Sequence, residues 1–131
     1  MFQDAYLFST ISVNDMDVAE KFYRDVLGLK TSRNAMGLMK VEAGKNTGFV
    51  VYPKPDHVPA SFTVQNISVD DAGAAVDYLV GKGVRFEMYT EGMAKTDDRG
   101  ISASPDGKMK IAWFKDPAGN IFSLIEGGNA A

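Results

Sequence analysis

Apolar and polar positions follow the same order twice along the chain. β-prone stretches at residues 5–10 and 61–66 lead into near-identical segments, Ile11-Ser12-Val13-Asn14-Asp15 and Ile67-Ser68-Val69-Asp70-Asp71, each followed by apolar residues at helical spacing. In the first copy Asn14 or Asp15 offers the helix cap, and Val18, Phe22, Val26 and Leu27 predict the buried stripe. Gly28 supplies the left-handed stop. In the second, Asp70 or Asp71 caps, Ala75, Tyr78 and Leu79 face inward, and Gly83 stops. The two helices are counterparts in an internal repeat.

After each helix the pattern shortens to strands. Residues 29–32, 37–42 and 48–52 follow the first helix, and 84–89, 100–104, 108–115 and 120–125 the second. Pro105-Asp106-Gly107 and Asp116-Pro117-Ala118-Gly119 are turn chemistry, because proline presets one backbone angle and glycine admits the positive one. Asp116, Pro117, Gly119 and Asn120 are therefore assigned to structure, and Tyr23 to packing. Each half reads as βαβββ and the fold class as α+β. The stretch from Pro53 to Pro59 holds three prolines, which cannot donate to a ladder, and marks a connector. Residues 91–99 are polar and without period, and read as a surface loop before they read as a lid.

Composition changes the picture mainly by exclusion. At 131 residues, with 45% hydrophobic and 24% charged positions, the chain has the balance of one ordinary globular domain. A net charge of −3 provides no basic stripe, so nucleic acid is not the expected partner. No apolar run reaches the ~20 residues that span a bilayer, and the start Met1-Phe2-Gln3-Asp4 lacks signal-peptide features, so no membrane contact and a cytoplasmic location are expected. The chain has no cysteine, which removes disulfides, thiolate nucleophiles and thiolate metal sites.

Two segments carry a resemblance. Phe22-Tyr23-Arg24-Asp25-Val26-Leu27-Gly28-Leu29, and Ile111-Ala112-Trp113-Phe114-Lys115-Asp116-Pro117-Ala118-Gly119-Asn120 running into Ile121-Phe122-Ser123-Leu124-Ile125-Glu126, sit in matching halves of the repeat. The chain, over residues 5–126, resembles the vicinal oxygen chelate superfamily of glyoxalase I, extradiol dioxygenases, and fosfomycin and bleomycin resistance proteins. The resemblance implies two tandem βαβββ modules whose curved mixed sheets surround a U-shaped cleft with helices outside, often in a homodimer. Module one is then 1–53, the connector 54–59, module two 60–126, and 127–131 a flexible tail.

Members with metal chemistry place one ligand, His, Glu or Gln, on the first and last strand of each module. Counted from the cap aspartates, those positions here are Phe8, Val64, Ser123 and one within Phe49-Val50-Val51-Tyr52, none a ligand of that kind. With one histidine, a two-histidine-one-carboxylate or two-histidine-two-glutamate set cannot form within a protomer. No cofactor is expected. The alternative is an oxygen-only divalent site drawn from Asp4, Glu42, Glu87 or Glu126, carboxylates that otherwise read as solvated surface charge. His57, in the connector, reads as a solvated loop residue before it reads as a base or pH switch.

With Phe8 and Val64 facing the implied cleft, strand alternation sends Tyr6, Thr10 and Ser12 to the same face, and likewise Phe62, Asn66 and Ser68. Ser123 joins from the last strand; Tyr52, Met109 and Trp113 join if their registers are right. The candidate ligand-binding set is Tyr6, Phe8, Thr10, Tyr52, Phe62, Val64, Asn66, Met109, Trp113 and Ser123. It is aromatic and apolar with a few neutral polar groups, as small-molecule pockets are. The competing reading is that the aromatics fill a closed core. A metal-independent protein that binds a small organic molecule is the function expected, with an atypical enzyme as the alternative.

Overall fold

A computed structural model describes residues 1–92 and 94–127. The chain divides into two compact units, Met1–Val58 and Pro59–Ala131. The expected tail falls largely outside the described residues.

In the first unit, β1 (Ser9–Val13) leads into α1 (Met16–Lys21), which continues as a wider turn over Phe22–Val26. β2 (Lys30–Arg33), β3 (Met39–Glu42) and β4 (Gly48–Pro53) follow. The sheet order is β1-β4-β3-β2, with β1 parallel to β4 and the other pairs antiparallel. A parallel β1–β4 pair requires a crossover, which the helix and two strands supply. The second unit repeats this with β5 (Thr63–Val69), α2 (Ala72–Gly81), β6 (Ile101–Ala103), β7 (Lys110–Lys115) and β8 (Ile121–Glu126), in the order β5-β8-β7-β6. The α+β, two-module βαβββ expectation is met. Among the described residues no helix is long and apolar enough to cross a membrane.

Both helices start where the repeat placed them. Asp15 and Asp71 accept from the amides of Val18 and Ala74 at 3.1 and 3.0 Å, and so settle which cap residue is used. The Glu126 carboxylate, at the end of β8, accepts from the Ala72 amide at 2.8 Å, satisfying a second orphan donor of α2. The buried faces differ from expectation. Ala19 and Tyr23 are buried in the first helix while Val18 is exposed, and in α2 Ala72, Val76 and Leu79 are buried while Tyr78 is exposed. Spacing of four fits 18–22 and 19–23 equally; Tyr23 wins because its ring meets Phe49 of β4 edge-on at 5.5 Å. The Leu27 amide bonds to the Phe22 carbonyl five residues back, and Gly28, at φ +70°, turns the chain so that the Leu29 amide reaches the Tyr23 carbonyl.

The core of the first unit is Ile11, Val13, Met39, Val41, Phe49 and Val51, alternate residues of β1, β3 and β4. That of the second is centred on Ala112, Phe114, Phe122 and Leu124, on which α2 packs. Glu20 and Asp17 on α1 bind Arg33, and Glu20 also accepts from Thr31, tying β2 to the helix.

Three local expectations are corrected. Residues 84–89 form no strand but a single bridge, Phe86 to Phe114, because β6 occupies the same β7 edge from Lys110 to Ala112. Pro53 does join a ladder as the last residue of β4; its missing amide costs nothing because the next amide, Lys54, donates to Val13 at 2.9 Å, and β3 has already ended. The strands of the repeat start late, so that residues 5–8 and 61–62 precede β1 and β5.

Candidate functional site

Because Ile11, Val13, Met39, Val41, Phe49 and Val51 point into the core, alternation sends Thr10 and Ser12, Lys40 and Glu42, and Val50 and Tyr52 to the opposite, open face of the first sheet. On this side lies a concavity of about 540 Å³. Its lining comprises Tyr6 and Phe8 from the segment before β1, Lys40 and Glu42 from β3, Asn46 and Thr47 from the following turn, and Gly48, Phe49 and Val50 from β4. The volume lies within the ~300–1,000 Å³ of small-molecule pockets.

The rings of Tyr6 and Phe8 stack at 6.3 Å and 27° and are 74% and 62% exposed. Rings this open are not core, which overturns the closed-core reading for these two. The Tyr6 hydroxyl donates to the Asn46 carbonyl at 3.3 Å. Asn46 belongs to the turn joining β3 and β4, closed by the Thr47 amide donating to the Gly44 carbonyl at 3.2 Å, whose central residues Lys45 and Asn46 both have positive φ, 60° and 59°, as in a type I′ turn. Gly48 follows, where any side chain would run into the Val41 carbonyl oxygen. On its β4 side Glu42 therefore faces a partner with no side chain, on its β2 side it faces Lys30, and it pairs with Lys40 Nζ at 3.7 Å.

The second unit gathers a different group. Trp113, Ser123 and Asn66 are consecutive cross-strand partners on β7, β8 and β5. Ser123 is 1% exposed and its hydroxyl donates to Asn66 Oδ1 at 2.7 Å. Trp113 meets Tyr89 edge-on at 5.3 Å. Near the start of β5 the register slips between Thr63 and Gln65, leaving Val64 as the extra residue of a bulge, so the alternation that put Val64 on the face of Asn66 does not hold. Gln65 Nε2 is buried there without a hydrogen-bond partner.

Of the ten candidate residues, then, Tyr6 and Phe8 meet at the concavity, Thr10 and Tyr52 share its sheet face, and Asn66, Trp113 and Ser123 meet in the second unit. Phe62 and Met109 lie outside the strands, exposed. Sequence reasoning missed Lys40, Asn46 and Thr47, and named Glu42 and Val50 only as metal-site positions and not as pocket lining. The alternation in Met39-Lys40-Val41-Glu42, ending at the turn of Gly44 to Gly48, was the signal for them. It also missed a partner for His57: Nδ1 lies 2.6 Å from the Ser12 hydroxyl, so this histidine is half-buried and anchored, not a free loop residue. The 91–99 loop, of which Met93 lies outside the described residues, is tied at its ends. Thr96 bonds the Tyr89 backbone, and Arg99 reaches Asp77 and the Gly73 carbonyl of α2.

Residues 6–124 match the model of the Glyoxalase/Bleomycin resistance protein/Dioxygenase superfamily. The chain belongs to this superfamily. No curated protein matches it. Solved structures with the same fold include a glyoxalase superfamily member from Sphaerobacter thermophilus, 22% identical over 92% of this chain and 97% of that one, with a TM-score of 0.68. A lactoylglutathione lyase from Agrobacterium tumefaciens is 22% identical over 95% and 94%, with a TM-score of 0.65. TnmS3, an antibiotic-binding protein from Streptomyces sp. CB03234, is 21% identical over 96% and 99%, with a TM-score of 0.67.

For the superfamily's metal, the register fixes the fourth ligand position. Val50 pairs with Thr10 as Ser123 pairs with Asn66, so the four positions hold Phe8, Val50, Val64 and Ser123. Phe8 and Val50 in the first unit and Val64 in the second offer no donor atom, and the Ser123 hydroxyl already donates to Asn66. These residues do not fit a divalent ion. Among the described residues no three His, Asp or Glu side chains are grouped to hold a metal. Three of the four carboxylates of the oxygen-only alternative are engaged locally: Glu42 with Lys40, Glu87 with Lys115 and Glu126 with the Ala72 amide.

Proposed function

We propose that this superfamily member is a metal-independent small-molecule-binding protein, holding an organic ligand on the open face of its first sheet and acting as a homodimer. The observation that carries the reading is the concavity of about 540 Å³ fronted by the exposed, stacked rings of Tyr6 and Phe8. Apolar rings left open to water cost free energy that a bound ligand recovers. Hydrocarbon at three of the four ligand positions of metal-dependent relatives, and a neighbour in fold that is an antibiotic-binding protein, support the same conclusion.

The test is a melting screen of chelator-treated protein. An organic ligand at ~100 times its dissociation constant adds about 2.7 kcal/mol. Stabilisation by divalent metals and by no organic compound sinks the reading. Light scattering reads the assembly, with twice the chain mass expected.

One observation favours a second reading, metal-free acid–base catalysis: the 2.6 Å contact between Ser12 Oγ and His57 Nδ1. Hydrolysis of p-nitrophenyl acetate that disappears in both Ser12→Ala and His57→Ala supports it; a rate equal to the buffer's removes it.

A further inference from the structure

Resting on the binding reading, we propose that the concavity selects flat aromatic cations, molecules whose ring system lies against Tyr6 and Phe8 and whose positively charged nitrogen pairs with Glu42. Three features of the wall point to that charge. The faces of aromatic rings carry the negative side of their quadrupole, which attracts cations and repels anions, and both rings stand open to solvent. The Glu42 side chain is 34% exposed, so its charge is less screened than that of a fully solvated carboxylate. Its present ion pair with Lys40 is long at 3.7 Å, leaving room for a ligand nitrogen at the 2.7–2.9 Å typical of charge-assisted bonds. Gly48, directly across the strand pair, places no side chain in the way.

Two cations argue the other way: Lys30, exposed on β2 directly opposite Glu42, and Lys40. The Lys40 side chain is 64% exposed on a flexible stem, so an ammonium displaced from Glu42 moves into water with little loss, whereas an anion held by it gains only a screened surface pair. The more enclosed charge decides, and that charge is negative.

Three tricyclic probes of nearly equal size separate the possibilities: 9-aminoacridine, cationic at neutral pH, anthracene-9-methanol, neutral, and anthracene-9-carboxylate, anionic. Fluorescence titration of the whole chain at low salt is expected to give the cation a dissociation constant at least tenfold below the other two. Glu42→Gln is expected to erase that advantage, with an unchanged circular dichroism spectrum showing that the variant is folded. Lys40→Met is expected to keep or sharpen it. Equal affinities, or an anion that binds best and weakens in Lys40→Met, overturn the charge assignment and leave the binding reading standing. If none of the three binds, the assignment is overturned, and the binding reading is decided by the wider melting screen.

Discussion

The Tyr6 hydroxyl donates to the carbonyl of Asn46, forty residues further on, and so ties the segment before β1 to a turn whose two central residues both have positive φ. Asparagine adopts that conformation more readily than lysine, for which it is strained. Lys45→Gly removes the clash of a Cβ in the left-handed region at some cost in unfolded-chain entropy. The expected net effect is a gain of about 0.5–1 kcal/mol in urea unfolding. A loss of stability contradicts the turn geometry.

Ser123 tests the second unit. Its hydroxyl is buried and bonded to Asn66, so Ser123→Ala is expected to cost about 1 kcal/mol by the same measurement. Ser123→Glu places a carboxylate at a superfamily ligand position, yet metal analysis is expected to find no stoichiometric ion, because Val64, the other such position of the second unit, adds no donor.

His57 holds the connector to β1 through Ser12. His57→Ala is expected to destabilise by about 1 kcal/mol and to speed endoproteinase Asp-N cleavage before Asp56, since Lys54 is shielded from trypsin by Pro55. Unchanged cleavage means the contact does not anchor the connector.

The Ser104 hydroxyl, and then the Lys108 amide, hold the Asp106 carboxyl below the usual carboxylate range. A folded-state value lowered in this way contributes stability above the unfolded value of ~3.9, and that contribution disappears as pH falls through the folded value. Carbon NMR titration of Asp106 reads the depressed midpoint, and Ser104→Ala is expected to raise it. No movement places the cause elsewhere.

Much of the fold was legible because the repeat shows the same cap, strand and helix twice; Asp15 and Asp71 perform the same task 56 residues apart. What stayed hidden depends on contacts distant in sequence. Spacing cannot choose between Val18 and Ala19 until Tyr23 meets Phe49, and strand propensity cannot show that β6 excludes residues 84–89 from most of the β7 edge. At the site, alternation correctly put Thr10 with Tyr52 on one face and failed at Val64, where a bulge adds a residue that leaves no mark in the pattern. Lys40 and Glu42 were readable as alternating outward positions. Their importance depends on Gly48, whose lack of a side chain matters only once β3 and β4 are paired.

The central claim is that a ligand binds against Tyr6 and Phe8 without a metal. Calorimetric titration of chelator-treated wild type and Phe8→Ala with the strongest organic stabiliser tests it most directly. The account predicts binding unaffected by chelator and weakened at least tenfold in Phe8→Ala; binding that vanishes with chelator and returns with a divalent ion contradicts it.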